Sequence, residues 1–423
     1  MTSKLIFRCL INLISIVPLL TNGQNSISDK SVAKMGASQV NITPDKPTFM
    51  SGYGSRTTPF IGVHDSIFAS ALYFTYEKTK ALFISADVVG FSSNFIDTTK
   101  KMISSKTGIP LEYIMIAAVH NHGGPVTGNF RNETPQTGYD YPAQLKEKLT
   151  SLAVEALKNP VPFHMGIGKG FCNQNINRRV EFADSTIWLG KNPDGPCDHE
   201  LDVVKFEDMN NNAIAVLVNW PCHGTASGGQ NYLITGDWPG AAARYIKHQA
   251  GKDVVVAVTA GASADINPLF GPTNIFYEID VVGFHVGVEA WKTLTQTETF
   301  PVKSLQATNT TMTFPGKKPW KGHLPQTSYE SGRDREIRLT VLKIGDLVLS
   351  GISGELMTEM GMEVKKQSPY SGTLIVTHCN GSSGYICTDK AFSEGGYEPQ
   401  STGFMPGVEK PLVNKFIELI HSF

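Results

Sequence analysis

The chain is organised around residues 114–125, which read Ile-Met-Ile-Ala-Ala-Val-His-Asn-His-Gly-Gly-Pro. The first six residues are apolar and rich in β-formers, which predicts a buried strand. The strand stops at two histidines, and Gly-Gly-Pro then forces a tight turn. Ligands bind at the carboxyl ends of strands in open α/β sheets, and residues two apart on a strand share a face. His120 and His122 are therefore predicted to face one pocket; the alternative is two polar residues in a loop.

Composition and segment pattern place the remaining chain in a broad class. The 423 residues allow one large domain or two ordinary ones, and 41% hydrophobic with 18% charged residues suits a globular core. A formal net charge of −1 gives no case for nucleic acid or an anionic membrane surface. Apolar runs at 69–76 and 81–89 predict a hairpin, and residues 142–158 predict an amphipathic helix. We expect a mixed α/β sheet flanked by helices in one continuous domain, residues 24–423, with its site at strand-to-loop exits.

The N-terminus has the pattern of a secretory signal. Lys4 and Arg8 precede an apolar run at 9–20, and a small polar segment follows at 21–24. No later stretch approaches the roughly 20 apolar residues that a membrane span needs. We therefore expect a signal peptide at residues 1–23, and a mature protein that is secreted or periplasmic, without a transmembrane segment.

Five cysteines follow the signal. Export permits disulfides, and Cys172–Cys197 and Cys379–Cys387 are the plausible local bridges. The odd cysteine is predicted to be Cys222, more often a buried small residue than a nucleophile. No Cys-x-x-Cys pair supports a structural zinc site.

Further polar residues stand at strand ends or in loops. Asp87 lies late in a predicted strand, which indicates either a pocket or a loop hydrogen bond. Arg178 lies in a segment, residues 173–179, that reads as a polar loop.

Four candidate metal ligands share the position where a strand gives way to a loop: His120, His223, Glu355 and Tyr385. Two imidazoles, a carboxylate and a phenolate with an open position suit zinc, which can lower the pKa of a water molecule to about 7. Amide or ester hydrolysis also needs a proton donor and an oxyanion donor. Three further residues can supply these: His122, Arg178 and Tyr397. Any one of these residues alone is more often structural.

The chain resembles the catalytic domain of the neutral/alkaline, non-lysosomal ceramidase family over most of its mature length. The resemblance rests on several motifs in order: Asn-Ile-Thr-Pro at 41–44, Gly-Tyr-Gly at 52–54, Gly-Val-His at 62–64, Ala-Val-His-Asn-His-Gly-Gly-Pro at 118–125, Asn-Arg at 177–178, the segments 219–224 and 351–355, Gly-Tyr at 384–385 and Gly-Tyr-Glu at 396–398.

The resemblance implies a zinc ion bound by the four candidate ligands, with the other three residues lining the catalytic centre. It also implies cleavage of the N-acyl amide of ceramide to sphingosine and a fatty acid, a step of sphingolipid metabolism.

Two features depart from the family pattern. In residues 261–269, Asn267 stands where the family has its catalytic serine. Asn267 cannot be a nucleophile, but its amide can hydrogen-bond a substrate. Asp265 can act as a base or orient water, or alternatively cap the turn. The chain also stops at Phe423, without the C-terminal immunoglobulin-like domain of family ceramidases.

The resulting hypothesis is an exported, zinc-dependent hydrolase in which zinc-activated water attacks an N-acyl amide of a ceramide-like lipid, or a related ester, without an acyl-enzyme. The alternative within this class is a deacylase or esterase acting on an acylated carbohydrate. The alternative of another class is a non-catalytic metal- or ligand-binding protein on the same fold, motivated by Asn267. The intact set of histidine, glutamate and tyrosine residues favours the enzyme.

Overall fold

A long mixed sheet and a second, smaller sheet form the centre of the molecule. The computed structural model describes residues 32–128, 140–318 and 328–423, so the predicted signal peptide lies outside the described residues. The strands are β1 (Lys34–Asn41), β2 (Gly62–Val63), β3 (Phe68–Tyr76), β4 (Thr79–Ala86), β5 (Ile114–Ala118), β6 (Val161–Phe171), β7 (Asn175–Glu181), β8 (Ile187–Asn192), β9 (Glu200–Asp208), β10 (Ala213–Trp220), β11 (Leu233–Ile234), β12 (Val255–Ala260), β13 (Ile266–Pro268), β14 (Phe300–Pro301), β15 (Leu305–Lys317), β16 (Ser331–Ile344), β17 (Leu347–Ile352), β18 (Glu355–Leu356), β19 (Gly372–Val376) and β20 (Tyr385–Ile386).

Helices cover the outer faces of both sheets. They are α1 (Ser93–Thr107), α2 (Tyr141–Ala156), α3 (Asp237–Ala250), α4 (Phe276–Gln296), α5 (Thr358–Gln367), α6 (Asp389–Glu394), α7 (Tyr397–Ser401) and α8 (Glu409–His421). The predicted amphipathic helix is confirmed as α2: Asp140 accepts a hydrogen bond from the Ala143 N–H at its start, and Leu145 and Leu149 are fully buried. No helix among the described residues is long and apolar enough to cross a membrane.

The larger sheet has the order β12-β10-β9-β6-β1-β3-β4-β5, with β14 beside β6. Its β4–β5 and β10–β12 pairs are parallel and its other pairs antiparallel, which confirms the predicted mixed sheet. The predicted hairpin is the antiparallel pair β3–β4. The second sheet runs β15-β16-β17-β19, with β17 and β19 parallel.

The two sheets pack face to face around one apolar cluster. Phe74 and Leu217 of the larger sheet share this cluster with Leu342, Leu349 and Leu374 of the smaller one. Helices α1 and α2 cover one part of the larger sheet, α3 and α4 another, and α5 and α8 cover the smaller sheet. The layers are therefore helix, sheet, sheet and helix, and each sheet contributes strand ends to the site described below.

One predicted loop is a strand. Residues 175–181 form β7, antiparallel to β13 and β8. Asn175 and Asn177 are buried there because their side-chain amides donate hydrogen bonds to the carbonyl oxygens of Pro221 and Pro196. Those partners are distant in sequence, so the segment reads as a polar loop although it lies in the interior.

The predicted disulfide bridges are wrong. All five cysteines of the described ranges are free thiols. Cys172 packs under α3 and α4, whereas Cys197 lies in a loop with Sγ 3.7 Å from His199 Nδ1. Cys379 and Cys387 belong to two different apolar clusters. Sequence proximity suggested the pairs, but each side chain is directed into a different environment. Cys222 is free and fully buried, as predicted.

Candidate active site

The end of β5 presents His120 and His122 to one cavity. β5 stops at Ala118, and His120 turns the chain in a left-handed conformation with φ 60°. The Nδ1 atom of His120 lies 2.8 Å from the Val89 carbonyl oxygen. A carbonyl only accepts, so Nδ1 carries the proton and Nε2 keeps a free lone pair. His122 Nε2 is 3.1 Å from His120 Nε2.

His223 reaches the same point from the end of β10. Its Nδ1 faces the carbonyl oxygens of Ser263 and Ile266 at 2.6 and 3.1 Å, so this nitrogen also carries the proton. The free Nε2 lies 3.2 Å from Glu355 Oε2. Both His120 and His223 thus have the arrangement of metal-binding histidines, with one nitrogen held by a backbone carbonyl and the other directed inward.

Glu355 and Tyr385 lie side by side because β18 and β20 pair in parallel register. Glu355 Oε2 is 3.4 Å from His120 Nε2, in addition to its contact with His223. Burial opposes ionisation of this carboxyl, but His120 and the neighbouring histidines outweigh it and hold the pKa of Glu355 well below its usual range. A carboxylate therefore lies beside the imidazoles of His120 and His223.

These donors fit a tetrahedral metal ion. Zinc bonds of about 2.0–2.1 Å place neighbouring tetrahedral donors about 3.3 Å apart, and Glu355 Oε2 lies 3.4 Å from His120 Nε2 and 3.2 Å from His223 Nε2. Two overlapping groups have ligand atoms within 4.8 Å of one another: His120, His122 and His223, and His120, Glu355 and His378.

Burial favours the neutral form of His122, His223 and His378, because it lowers the pKa of each imidazole. It lowers the pKa of His223 to about 4, with the charges of Arg178 and His120 acting in the same direction. Burial and then His120 hold the pKa values of His122 and His378 well below the ordinary range. Neutral imidazole is the form that binds metal, so the centre is prepared for a cation at neutral pH.

Arg178, from the middle of β7, connects the remaining predicted residues. Its Nη2 donates to the Tyr385 hydroxyl at 3.2 Å and its Nη1 to Asn267 Oδ1 at 3.2 Å, while Nη1 lies 3.3 Å from His223 Nε2. The Tyr397 ring centroid is 5.6 Å from the guanidinium carbon. Glu398 accepts from Arg178 Nε at 2.8 Å and from Arg179 Nη1 at 2.8 Å, which fixes both guanidinium groups.

The Tyr385 phenol is protonated in the absence of a cation. Burial, followed by the charge of Glu355, raises its pKa well above the ordinary value, and the Arg178 hydrogen bond only partly opposes this. A divalent cation beside the hydroxyl would reverse that preference, because the ion is then the largest local charge.

Asn267 and Asp265 have different positions. Asn267 adjoins the centre through Arg178, and its Oδ1 also accepts from Thr225 at 3.4 Å. Asp265 is turned away from the cavity: Oδ1 accepts from the Thr358 N–H at the start of α5, and Oδ2 accepts from the Asn177 amide. Burial raises the pKa of Asp265 to about 6. Asp265 thus anchors a turn and does not line the cavity described below; its role as a base stays a prediction.

A cavity of ≈ 300 Å³ opens beside the donors. Its polar lining includes six residues: His120, His122, Glu355, His378, Tyr385 and Tyr397. Its apolar lining includes Phe49, Met50 and Val126. The cavity thus combines the donor cluster with apolar side chains.

Sequence reasoning missed two residues of this site. His378 follows β19 and stacks on His120, with ring centroids 3.8 Å apart and 10° between the planes. The signal was available, because His378 closely follows an apolar strand as His120 and His223 do. Glu398 is fully buried between two arginines; it belongs to the Gly-Tyr-Glu motif at 396–398, but no role was predicted for it from the sequence.

Comparisons with known proteins show the family and the fold. The sequence model of a family described as neutral/alkaline non-lysosomal ceramidase, N-terminal, matches residues 34–273. Neutral ceramidase A of Dictyostelium discoideum is 26% identical over 267 residues, 58% of this chain and 37% of that protein. Neutral ceramidase B of the same organism is 24% identical over 302 residues, 63% of this chain and 42% of that protein. The chain thus spans less than half the length of these curated relatives.

Two solved structures share the fold. A ceramidase complexed with C2 has a TM-score of 0.78 and 16% identity, covering 92% of this chain and 75% of that chain. The neutral ceramidase from Pseudomonas aeruginosa has a TM-score of 0.76 and 17% identity, covering 93% and 74%. The predicted fold and family are confirmed: the chain belongs to the neutral/alkaline non-lysosomal ceramidase family.

Proposed function

We propose that this protein is a zinc-dependent hydrolase that cleaves the N-acyl amide of ceramide-like lipids, with water as the direct nucleophile. The observation that carries the proposal is the convergence of His120 Nε2 and His223 Nε2 on Glu355 Oε2, at 3.4 and 3.2 Å, beside a cavity. Imidazole and carboxylate donors suit zinc, with Tyr385 as the fourth predicted ligand. Zinc in such a site supplies Lewis acidity and a water molecule of lowered pKa.

His122 is the proposed oxyanion donor. Its Nε2 faces the lone pair of His120 Nε2 at 3.1 Å, which assigns the proton of His122 to Nε2. If the lone pair of His120 Nε2 binds a metal ion, the N–H of His122 would be free to donate to the oxygen of a scissile carbonyl. A donor of this type contributes about 10²–10³ in rate.

Arg178 and Tyr397 orient the substrate in the proposed reaction. Glu398 holds the Arg178 guanidinium by an ion pair, so the Nη atoms of Arg178 remain directed at Tyr385 and Asn267. This fixed orientation lowers the entropy cost of reaching the reactive geometry. The ring of Tyr397, whose centroid is 5.6 Å from the guanidinium carbon of Arg178, also lines the cavity. Asn267 offers an amide to a substrate or water but no nucleophilic oxygen, which supports direct attack by water.

Metal content and product release test the proposal together. Purified protein is expected to contain about one zinc ion per chain and to release fatty acid from a short-chain ceramide, and a chelator should abolish the release. Acylated sugars form the second arm of the substrate panel. The non-catalytic alternative predicts no release from any substrate, whether or not the protein binds zinc.

His223→Ala provides the residue-level test. The variant loses a donor whose Nε2 faces the centre, so zinc binding and turnover should both disappear while the circular dichroism spectrum is retained. Cys222→Ala, altering the adjacent buried thiol, is the matched control and should keep its zinc. Full zinc occupancy in the His223→Ala protein would contradict the ligand assignment.

Export is proposed separately, from the pattern of residues 1–23. N-terminal sequencing of the protein recovered from the producing cell should find a chain that begins near residue 24. A chain that retains Lys4 and Arg8 would contradict cleavage of a signal peptide.

A further inference from the structure

His378 is a buried polar residue at the cavity with an unpartnered ring nitrogen. Its side chain follows β19, lines the cavity and belongs to a residue only 7% exposed. Its Nε2 has no hydrogen-bond partner among the residues that the structure describes. Leaving such an atom unpaired costs about 1–3 kcal/mol, so a partner from outside the chain is expected.

The ring stack restricts what that partner can be. The His378 and His120 rings are nearly parallel, with centroids 3.8 Å apart. Nitrogen lone pairs lie in the ring plane, so the two nearly parallel rings direct them within two separate, nearly parallel planes. The two rings would therefore not direct their lone pairs at one common ion. His378 is poorly placed as a further ligand of the ion that His120 binds, yet a ligand atom of its ring lies within 4.8 Å of one on His120 and one on Glu355.

We propose that His378 contacts the reacting oxygen, holding by a hydrogen bond the water molecule that attacks the substrate carbonyl. The inference rests on the proposed function and assigns a further catalytic residue to it. The water oxygen forms the new bond to the carbonyl carbon, the C–N bond breaks, and the amine leaves with a proton that originates from the water. His378 orients the water and takes no net proton over the cycle. Asn267 has no hydroxyl that could attack in place of water, so the reaction rate depends on how well the attacking water molecule is oriented.

Two variants distinguish the contribution of the His378 ring nitrogens from that of its packing against His120. His378→Phe keeps an aromatic ring against His120 but removes both nitrogens. His164→Phe makes the same substitution on β6, at a residue outside the cavity lining. Zinc affinity measured by chelator competition should remain within about threefold of wild type in both variants, since neither removes a proposed ligand.

Turnover and product binding then distinguish the roles. With a short-chain ceramide, His378→Phe should lower kcat by about 10² and change KM by less than about threefold, while His164→Phe should change neither. Acetate, the smallest carboxylate product of an amide hydrolysis, is the second probe. Titrated into cobalt(II)-loaded protein and followed by visible absorption, it should bind about tenfold more weakly to His378→Phe, a loss of about 1.4 kcal/mol.

The acetate titration separates failure of this proposal from failure of the proposed function. Wild-type acetate affinity and wild-type turnover in His378→Phe would overturn the role of His378 and leave the hydrolase intact. Weakened acetate binding in a protein that hydrolyses no N-acyl amide would support the place of His378 and overturn the substrate class. A wild-type protein that binds neither zinc nor cobalt would overturn both.

Discussion

Glu398→Gln tests whether the buried ion pairs behind the site hold it in place. The carboxylate is fully buried, with Oε1 2.8 Å from Arg178 Nε and Oε2 2.8 Å from Arg179 Nη1. Burial opposes its ionisation, but the two arginines outweigh this and lower the pKa of Glu398. Glutamine keeps one acceptor and replaces the other by an NH₂ group that faces an N–H donor. Arg178 then loses the one carboxylate with which it forms an ion pair in the described part of the chain.

The expected loss is large because a buried charge is left uncompensated. Removing one partner of a buried ion pair costs about 3–5 kcal/mol. Unfolding entropy of roughly 2 cal/mol/K per residue gives a chain of this size about 0.8 kcal/mol per kelvin, so Tm should fall by about 4–6 °C. Zinc affinity should fall as well, because Arg178 would no longer be held beside His223 and Tyr385.

Thermal unfolding followed by circular dichroism measures the effect, with Glu394→Gln as the matched control. Glu394 also pairs with Arg179, at 3.1 Å, but its side chain is 35% exposed. An exposed pair contributes about 0–1 kcal/mol, so this control should lose about 1 °C or less. A Glu398→Gln protein that unfolds within 1 °C of wild type (about 0.8 kcal/mol) would refute the reasoning.

Three further predictions follow from individual contacts. Asn267→Ala should lower kcat by about 10², and mass spectrometry of quenched wild-type reactions should detect no acyl adduct; a trapped adduct would overturn direct attack by water. Burial raises the pKa of Asp87 to about 7, although its backbone hydrogen bond from Phe68 opposes this. The pKa of Asp87 is higher in the folded than in the unfolded protein, so ionisation of this carboxyl lowers the free energy of unfolding as the pH rises from about 4 to 7. From pH 4 to pH 8, the free energy of unfolding of Asp87→Asn should therefore rise by about 2–4 kcal/mol relative to that of wild type, as measured by denaturant titration. The same pH dependence in both proteins would contradict this reasoning. Gly52 has φ 93°, and a Cβ there would lie 2.5 Å from the His122 ring. Gly52→Ala should therefore cost about 1–3 kcal/mol and reduce kcat, whereas Gly407→Ala, with φ 97° and open space, should keep kcat; equal kcat in both would contradict the clash.

The strand ends could be predicted from sequence because their signal is local. The apolar runs before His120 and His223 each stop at a histidine, and the structure brings these side chains together with Glu355. The hairpin and the α2 helix were predictable for the same reason. Local periodicity reports the face that a segment buries, which is sufficient for elements of this kind.

The contacts that the sequence could not predict depend on partners far away in the chain. Arg178 and Glu398 are 220 positions apart, and Asn177 is satisfied in the interior by Pro196 and Asp265. A polar run such as β7 is therefore indistinguishable from a loop until the fold supplies those partners. Cysteine pairing fails in the same way, since neighbours in sequence need not bring their Cβ atoms together.

The position of His378 depends on both sheets, because it lies where the smaller sheet contacts the larger one. The segment after β19 pairs with β5 of the other sheet, where the Ala118 N–H donates to the His378 carbonyl and the Asn380 N–H to that of Ile116. This pairing stacks the two histidines, and both are left-handed, with φ 60° for His120 and 51° for His378. Each non-glycine residue in that region costs about 1–3 kcal/mol, and such strain clusters at functional sites. Two strained histidines, held against each other by the junction of the sheets, indicate that the backbone there is shaped to position imidazoles and not to minimise its own energy.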